Sequence, residues 1–270
     1  MTPVDIGVWD LAVAALLLLA NAGLSLALGL GLAGRMLIAA VRMVVQLTLV
    51  GLVLKELFET TSPYWTLMVM LAMGLFAGWE VRARQARRLA GWWSYGLGSA
   101  TMLLVGTLIT LFALTVTLRV VPWYDPRYAV TLLGMILGNT MTGTAVGLNT
   151  FNDALWRERA AVEARLALGA TRWQAVSGVL KGAIGNGLIP TINAMAAAGV
   201  VFLPGMMTGQ ILAGVDPTLA IRYQILIMFL IAGGTGLGIL AAVFANAARL
   251  TDRRHRLRLD RLAATPDAAG

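Results

Sequence analysis

The sequence predicts an all-α, polytopic membrane protein. Apolar residues make up 59% of the 270 residues, charged residues only 13%, and the mean hydropathy is +0.78. Apolar stretches close to the length needed to cross a bilayer recur along the chain, and polar, arginine-bearing segments separate several of them. This combination is typical of membrane proteins and excludes a soluble globular domain.

We expect about seven transmembrane helices within a single transmembrane domain, residues 1–250. The first apolar stretch is preceded by acidic residues and is too long for the core of a signal peptide, so we interpret it as a mature span. Trp65 and Trp79 lie near the two ends of the third stretch, as interface anchors do. The predicted spans cover residues 8–33, 36–57, 64–79, 95–118, 130–148, 187–203 and 219–247.

The distribution of basic residues predicts an N-out, C-in orientation. With the N-terminus outside, sixteen Lys and Arg residues fall in cytoplasmic segments and four fall outside. We therefore interpret the net charge of +8 as an indication of orientation in the membrane. The expected partner is the lipid bilayer, and no nucleic acid is expected. The basic tail, residues 251–270, is expected to be cytoplasmic and disordered.

The composition excludes several kinds of chemistry. The chain has no cysteine and one histidine, His255, which rules out disulfides, cysteine-bound metals and a histidine-based catalytic triad. No Gly-Lys dipeptide occurs, so the chain lacks the phosphate-binding loop of P-loop ATPases. We therefore expect no catalytic residue, no assigned metal site and no cofactor in this chain.

The longest polar interval, which we call the corner segment (residues 153–182), predicts a helix, a sharp turn and a second helix. Asp153 is expected to cap the first helix, and Gly169 to end it in a left-handed conformation. Thr171 and Gln174 have the spacing of a capping box that starts the second helix. The tip between the helices suits either a docking knob for another protein or an amphipathic connector lying on lipid.

Polar residues within the spans are candidates for a transport pathway, because polar groups in lipid are costly. Arg42 and Gln46 lie one turn apart in the second span, while Asn139 and Thr142 lie in the fifth and Asn193 in the sixth. Snorkelling of the arginine to the interface and hydrogen bonding between helices are the alternatives. Glu80 sits at the end of the third predicted span, and we expect no carboxylate to line any span.

Residues 203–217, which we call the gate segment, are apolar but too long for a simple turn. Proline and glycines make its backbone irregular, and we expect a re-entrant or gate segment, with an external loop as the alternative. Its two methionines are interpreted as adaptable packing rather than as soft metal ligands. The candidate gate residues are Pro204, Gly205, Met206, Met207 and Gln210.

Two stretches carry a resemblance to known transporters. EARLALGATRWQAV, in which Glu163, Ala164 and Gly169 are spaced EA-x-x-x-x-G, resembles the EAA-type coupling segment of ABC-transporter permeases. The stretch GLIPTINAMAAAGVVFLPGMMTGQILAGVDPTLAIRYQILIMF resembles the iron-export permease family (FetB-like), which is related to plant aluminium-tolerance half-transporters. The similarity covers roughly residues 8–250.

The resemblance implies a transport subunit rather than an enzyme. A separate cytoplasmic ABC ATPase would bind ATP and Mg²⁺, two permease copies would pair, and iron or a metal complex would be exported across the cell inner membrane. The ATPase would dock on the corner through Glu163, Arg165, Leu166, Gly169, Ala170, Thr171 and Arg172.

Two other functions remain open from the residues alone. One is a partner-free secondary carrier for a metal or an organic solute. The other is a membrane scaffold or assembly factor that binds a partner through the same corner.

Overall fold

A computed structural model describes residues 7–60 and 62–263 of the chain. These residues form an all-α structure with isolated β-bridges and no β-strand. A π-helical turn, Ala113–Thr117, extends α4, and a short 3₁₀ turn, Leu259–Arg261, lies in the tail. The helices are α1 Val8–Ala27, α2 Ala33–Thr60, α3 Pro63–Ala83, α4 Trp93–Phe112, α5 Pro126–Arg157, α6 Arg159–Ala167, α7 Arg172–Ala197, α8 Gly205–Leu212 and α9 Pro217–Leu250.

Local sequence explains where the two longest helices begin. Asp125 precedes Pro126, and its carboxylate accepts a hydrogen bond from the Arg127 amide at 2.9 Å. Asp216 and Pro217 repeat this arrangement at the start of α9. An acidic cap followed by proline satisfies a free helix amide and fixes the first backbone turn.

Helix α5 lies at the centre of the bundle. It packs against α3, α4, α7 and α9, and its side chains Leu148, Phe151 and Leu155 are almost completely buried. Helix α2 is peripheral, since only Ala33 and Leu57 are buried along its length. The apolar side chains that α1 and α2 expose form the kind of surface that lipid covers.

Within the part of the chain that the structure describes, six helices are long and apolar enough to cross a membrane: α1, α2, α3, α4 with its π-helical turn, α5 and α9. The predicted class, a multi-pass all-α membrane protein, is confirmed. The remaining predicted span, residues 187–203, falls largely on α7, which is 26 residues long but is not one of these six. The count of seven spans and the N-out orientation stay predictions.

The second helix of the corner and the sixth predicted span are one continuous helix. α7 starts at Arg172, runs through Pro190 and ends at Ala197, where Gly199 turns the chain with φ of +83°. The predicted second corner helix therefore runs without a break into the sixth predicted span, and α7 buries Ala183 and Gly187 along one face against its neighbours.

The gate segment is largely helical. α8 occupies Gly205–Leu212 and packs against α9, and Pro204 directly precedes its first turn. Pro204 therefore starts a helix rather than interrupting one, a position that suits its fixed φ. A re-entrant path for the segment stays a prediction.

The tail is folded as far as Ala263. The Arg258 amide donates to the Leu250 carbonyl at 2.8 Å, and the Ala263 amide donates to the Arg88 carbonyl at 2.8 Å. Leu257, Leu259 and Leu262 pack against the core, and this burial offsets the cost of ordering the segment. The predicted disorder is wrong for residues 251–263, and residues 264–270 lie outside the described residues.

Glycines let α5 and α7 approach closely. A Cβ built on Gly187 would lie 2.9 Å from the Gly143 carbonyl oxygen, and one on Gly143 would lie 3.0 Å from the Gly187 carbonyl oxygen. Backbone therefore meets backbone at this crossing, as small residues permit in membrane helices.

We predict that Gly187→Ala lowers the thermal unfolding temperature of the detergent-purified protein. The added methyl group would meet a backbone carbonyl that cannot rotate away, and overpacking of this kind costs about 1–3 kcal/mol. Gly185→Ala is the matched control, because nothing lies within 4 Å of its Cβ position on the same helix. Equal unfolding temperatures for the two variants would contradict the close crossing.

Candidate functional site

The corner is built by a short helix set between two long ones. The chain breaks at Glu158, forms α6, and reverses at Gly169, whose φ of +93° is in the left-handed region. The Thr171 amide donates to the Gln174 side-chain oxygen at 2.9 Å, and the Gln174 amide donates to the Thr171 hydroxyl at 3.4 Å. The predicted helix stop and capping box are both confirmed.

The first helix of the corner does not begin at Asp153. Helix α5 continues through that position to Arg157, and the Asp153 carboxylate instead pairs with Arg87 at 3.2 Å. The predicted cap is wrong because polar contacts to a distant loop keep α5 helical beyond the predicted end of the fifth span at residue 148. These contacts are not visible in the local sequence.

Buried side chains hold α6 on the bundle. Val162 is completely buried, and Leu166 and Ala170 pack against the core. The Arg165 guanidinium donates to the Ala175 carbonyl at 3.2 Å and so ties α6 to the first turn of α7. Arg165 and Leu166, two of the predicted docking residues, therefore also hold the corner in position.

The outer surface of the corner combines charge with an apolar tip. Glu163, Gly169 and Thr171 are exposed, and the Arg172 guanidinium lies 4.9 Å from the centre of the Trp173 ring. Leu168 is 88% exposed at the apex of the turn. Sequence reasoning missed Leu168; its place directly before the helix-stopping glycine is the signal that could have identified it.

The loop between α3 and α4 is fastened to the far end of α5. The Asn149 side chain accepts a hydrogen bond from the Ala86 amide at 3.0 Å, and the Asn152 side chain donates to the Arg87 carbonyl at 2.8 Å. Asn246 of α9 donates to Asn152 at 2.6 Å within the buried core. Each contact joins segments more than 60 residues apart, so together they lock this end of the bundle.

The folded tail joins the same assembly. The His255 ring nitrogen Nδ1 accepts a hydrogen bond from the Arg172 amide at 2.9 Å, at the start of α7. The Ala90 amide donates to the Arg261 carbonyl at 2.8 Å. The tail therefore bridges the corner tip and the α3–α4 loop, a role that its basic composition did not reveal.

Two carboxylates stabilise the turn of the tail. Partial burial acts to raise the pKa of Asp252, but hydrogen bonds from Arg256 and from the Arg254 amide outweigh it and hold this pKa below its ordinary value of 3.8. The hydrogen bond from Arg258 likewise lowers the pKa of Asp260. Both groups thus favour the folded tail above pH 3.8, and this stabilisation is lost as the pH falls through their lowered pKa values.

A cavity of about 700 Å³ lies between α2, α3 and α5. Arg42 crosses from α2 to pair with the Glu80 carboxylate of α3, and Arg84 lies 3.5 Å from the other oxygen of that carboxylate. The Arg42 guanidinium also lies 5.3 Å from the Phe76 ring centre and 5.5 Å from that of Trp79. A charged cluster therefore sits in an otherwise largely apolar wall.

Glu80 corrects a prediction from the sequence. Helix α3 continues to Ala83, so Glu80 belongs to its last turns, where its side chain is only 12% exposed and lines the cavity. Sequence reasoning placed it at the end of the third span and expected no carboxylate to line any span. Its partner Arg42 is 38 residues away, which no local pattern shows.

The structure separates the predicted pathway residues into two groups. Arg42 and Gln46 line the cavity, and Thr142 lies beside it, 3.5 Å from the Arg84 guanidinium. Asn139 is exposed on α5 and donates to the Met135 carbonyl, and Asn193 is exposed on α7. Neither of these two asparagines lines the cavity, and their exposed positions are compatible with helix packing or lipid exposure.

The gate residues also lie away from the cavity. Pro204 and Gly205 start α8, Met207 is buried, and Met206 packs against the core. Gln210 is partly buried on the same helix. Within the described chain, none of these residues lines the cavity, and no cluster of three or more His, Asp or Glu side chains could hold a metal ion.

We predict that Thr171→Ala speeds hydrogen exchange at the Gln174 amide by about fivefold, the equivalent of roughly 1 kcal/mol for a lost cap. Thr171→Ser is the matched control, since serine supplies the same oxygen. Unchanged exchange in the alanine variant would mean that the capping box does not hold the corner.

An apolar bundle whose polar loops, corner and tail are bound together at one end defines a multi-pass membrane protein. Residues 8–250 match the family described as "Uncharacterised protein family (UPF0014)", and the chain belongs to that family. The match covers every helix described above.

Named relatives extend this assignment. The chain is 40% identical over 206 residues to "UPF0014 membrane protein slr1647" of Synechocystis, covering 75% of this chain and 78% of the relative. It is 36% identical to "Protein ALUMINUM SENSITIVE 3" of Arabidopsis thaliana, covering 78% and 75%. It is 31% identical to "Probable iron export permease protein FetB" of Escherichia coli, covering 80% and 81%. No solved structure matches the chain.

Proposed function

We propose that the chain is the permease subunit of an ABC transporter in the cell inner membrane, and that a separate ATPase docks on the corner between Glu163 and Arg172. The observation that carries this proposal is the corner itself, a braced helical turn that presents the exposed Leu168 between charged residues. A rigid knob with an apolar tip suits insertion into a groove of a partner protein. The partner, not this chain, would bind ATP and Mg²⁺.

The positions of the basic segments support a cytoplasmic corner. The arginine-rich α3–α4 loop, the corner and the tail meet at one end of the bundle, through the contacts of Asn152 with Arg87 and of Arg172 with His255. Positive charge concentrated at one end favours placing that end in the cytoplasm. Five candidate spans, α1 to α5, precede the corner, so the N-terminus would then lie outside.

The helices supply a route from the corner to the cavity. α5 runs from the corner to the cavity wall, where it contributes Leu137, Gly138 and Met141. α7 leaves the corner directly and packs along α5. Movement of the corner on closure of an ATPase dimer would therefore move helices beside the cavity, in a complex of two permease and two ATPase copies.

The proposed cargo is iron or a related metal complex, moved outward. The choice of cargo and direction rests on the name of the Escherichia coli relative, which is 31% identical to the chain. It is independent of the docking proposal, since a different cargo would leave the corner unchanged.

A partner-free secondary carrier is the second candidate, and Glu80 is the observation that favours it. A carboxylate beside a cavity is a common proton or sodium handle in gradient-driven transporters. Transport by the chain alone into vesicles with an ion gradient and no ATPase would establish this alternative.

We predict that Leu168→Asp and Glu163→Arg each abolish stimulation of ATP hydrolysis in a reconstituted permease–ATPase complex, because both alter the exposed face of the corner. Neither residue is buried, so each variant should reach the membrane at the native level. The assay compares ATP hydrolysis with and without the permease in liposomes.

Glu59→Arg is the control, since it makes the same charge reversal near the opposite end of the molecule. It should leave stimulation unchanged. Full stimulation by both corner variants would contradict the docking role.

A further inference from the structure

The charges that line the cavity between α2, α3 and α5 indicate what it binds. Three guanidinium groups, those of Arg35, Arg42 and Arg84, face the same space as one carboxylate, that of Glu80. The formal charge of the lining is therefore +2. Most of the other lining residues are apolar, and charge held in apolar surroundings is costly unless it is paired.

Arg42 is positioned to bind an anion. Its guanidinium lies near the Phe76 and Trp79 rings, which restrict its position while leaving its N–H groups available for hydrogen bonding. A planar guanidinium binds carboxylates and phosphates through paired hydrogen bonds. Gln46, one turn further along α2, adds an amide to the same wall.

We infer that this cavity binds a small anion that carries at least two negative charges on carboxylate or phosphate groups. Its volume of about 700 Å³ is in the range of small-molecule sites. The inference deepens the proposed function and rests on it in one respect: the bound anion would be the transported solute. A metal ion would then travel as an anionic chelate and not as a bare cation.

Glu80 takes the place of the ligand when the cavity holds no anion. Its carboxylate pairs with Arg42 and lies 3.5 Å from the Arg84 Nε, the two groups that an incoming anion would contact. The ligand must therefore displace Glu80, which acts as an internal competitor. Removing the charge of Glu80 should tighten anion binding, whereas it would weaken the binding of a bare metal cation.

The test is calorimetric titration of the full chain in phosphatidylcholine nanodiscs with citrate, ferric citrate, pyrophosphate and ferrous chloride. At least one of the three anions should bind to the native chain. Glu80→Gln should tighten that binding by about threefold or more, and Arg42→Gln should weaken it by about tenfold or more, as loss of a charge-assisted hydrogen bond implies.

Matched controls lie on the same helix as Arg42. Lys55→Gln and Glu59→Gln make the same charge changes on α2 at positions that do not line the cavity, and they should leave affinity unchanged. The double variant Arg42→Gln/Glu80→Gln removes both members of the ion pair, so it should fold with a native unfolding temperature and yet bind the anion about tenfold or more weakly than Glu80→Gln does. This variant separates loss of the site from loss of the fold.

Three results would overturn the inference. They are ferrous binding that disappears in Glu80→Gln, anion binding that is indifferent to Arg42→Gln, and no binding of any of the three anions. Competition by phosphatidylglycerol added to the nanodiscs would assign the site to a lipid headgroup. It would also overturn the inference that the bound anion is the transported solute. No ATPase enters these titrations, so the anion site and the docking role can fail separately.

Discussion

The close approach of α5 and α7 is the constraint on which the rest of the structure depends. Where Gly143 and Gly187 meet, no side chain separates the two backbones, so the helices can run side by side from the corner into the bundle. α5 also packs against α3, α4 and α9 and contributes one wall of the cavity. The corner and the cavity are therefore attached to the same pair of helices rather than to separate units.

Polar contacts join the helices and loops at one end of the bundle, whereas glycines allow the close contact of α5 and α7 in its interior. The Asn246–Asn152 hydrogen bond joins α9 to α5, and the Asp153–Arg87 ion pair joins α5 to the α3–α4 loop. The tail is hydrogen-bonded to the α3–α4 loop and to the end of α9. Several arginines at this end are thus engaged in specific bonds as well as favouring one orientation in the membrane. By contrast, α2 is held at the edge and its Arg42 spans the cavity to reach Glu80.

The sequence predicted the features that are encoded locally. The membrane class follows from hydropathy, while the helix stop at Gly169 and the capping box at Thr171 depend on residues three or four positions apart. Features decided by distant contacts were missed or misplaced. Asp153 was predicted to be a helix cap, since its partner Arg87 lies in a distant loop that no local pattern reveals. Glu80 was not expected to line a span, since its partner Arg42 lies on another helix.

The most direct test of the account is a cross-link from the tip of the corner. The chain contains no cysteine, so Leu168→Cys provides a single thiol that a photoreactive maleimide can label in native membranes. The account predicts one dominant cross-linked partner, an ATPase subunit with a phosphate-binding loop, and no such product from Leu212→Cys on α8, which is also exposed. Cross-links only to lipid, or equal products from both positions, would contradict the claim that the corner couples this membrane protein to an ATPase.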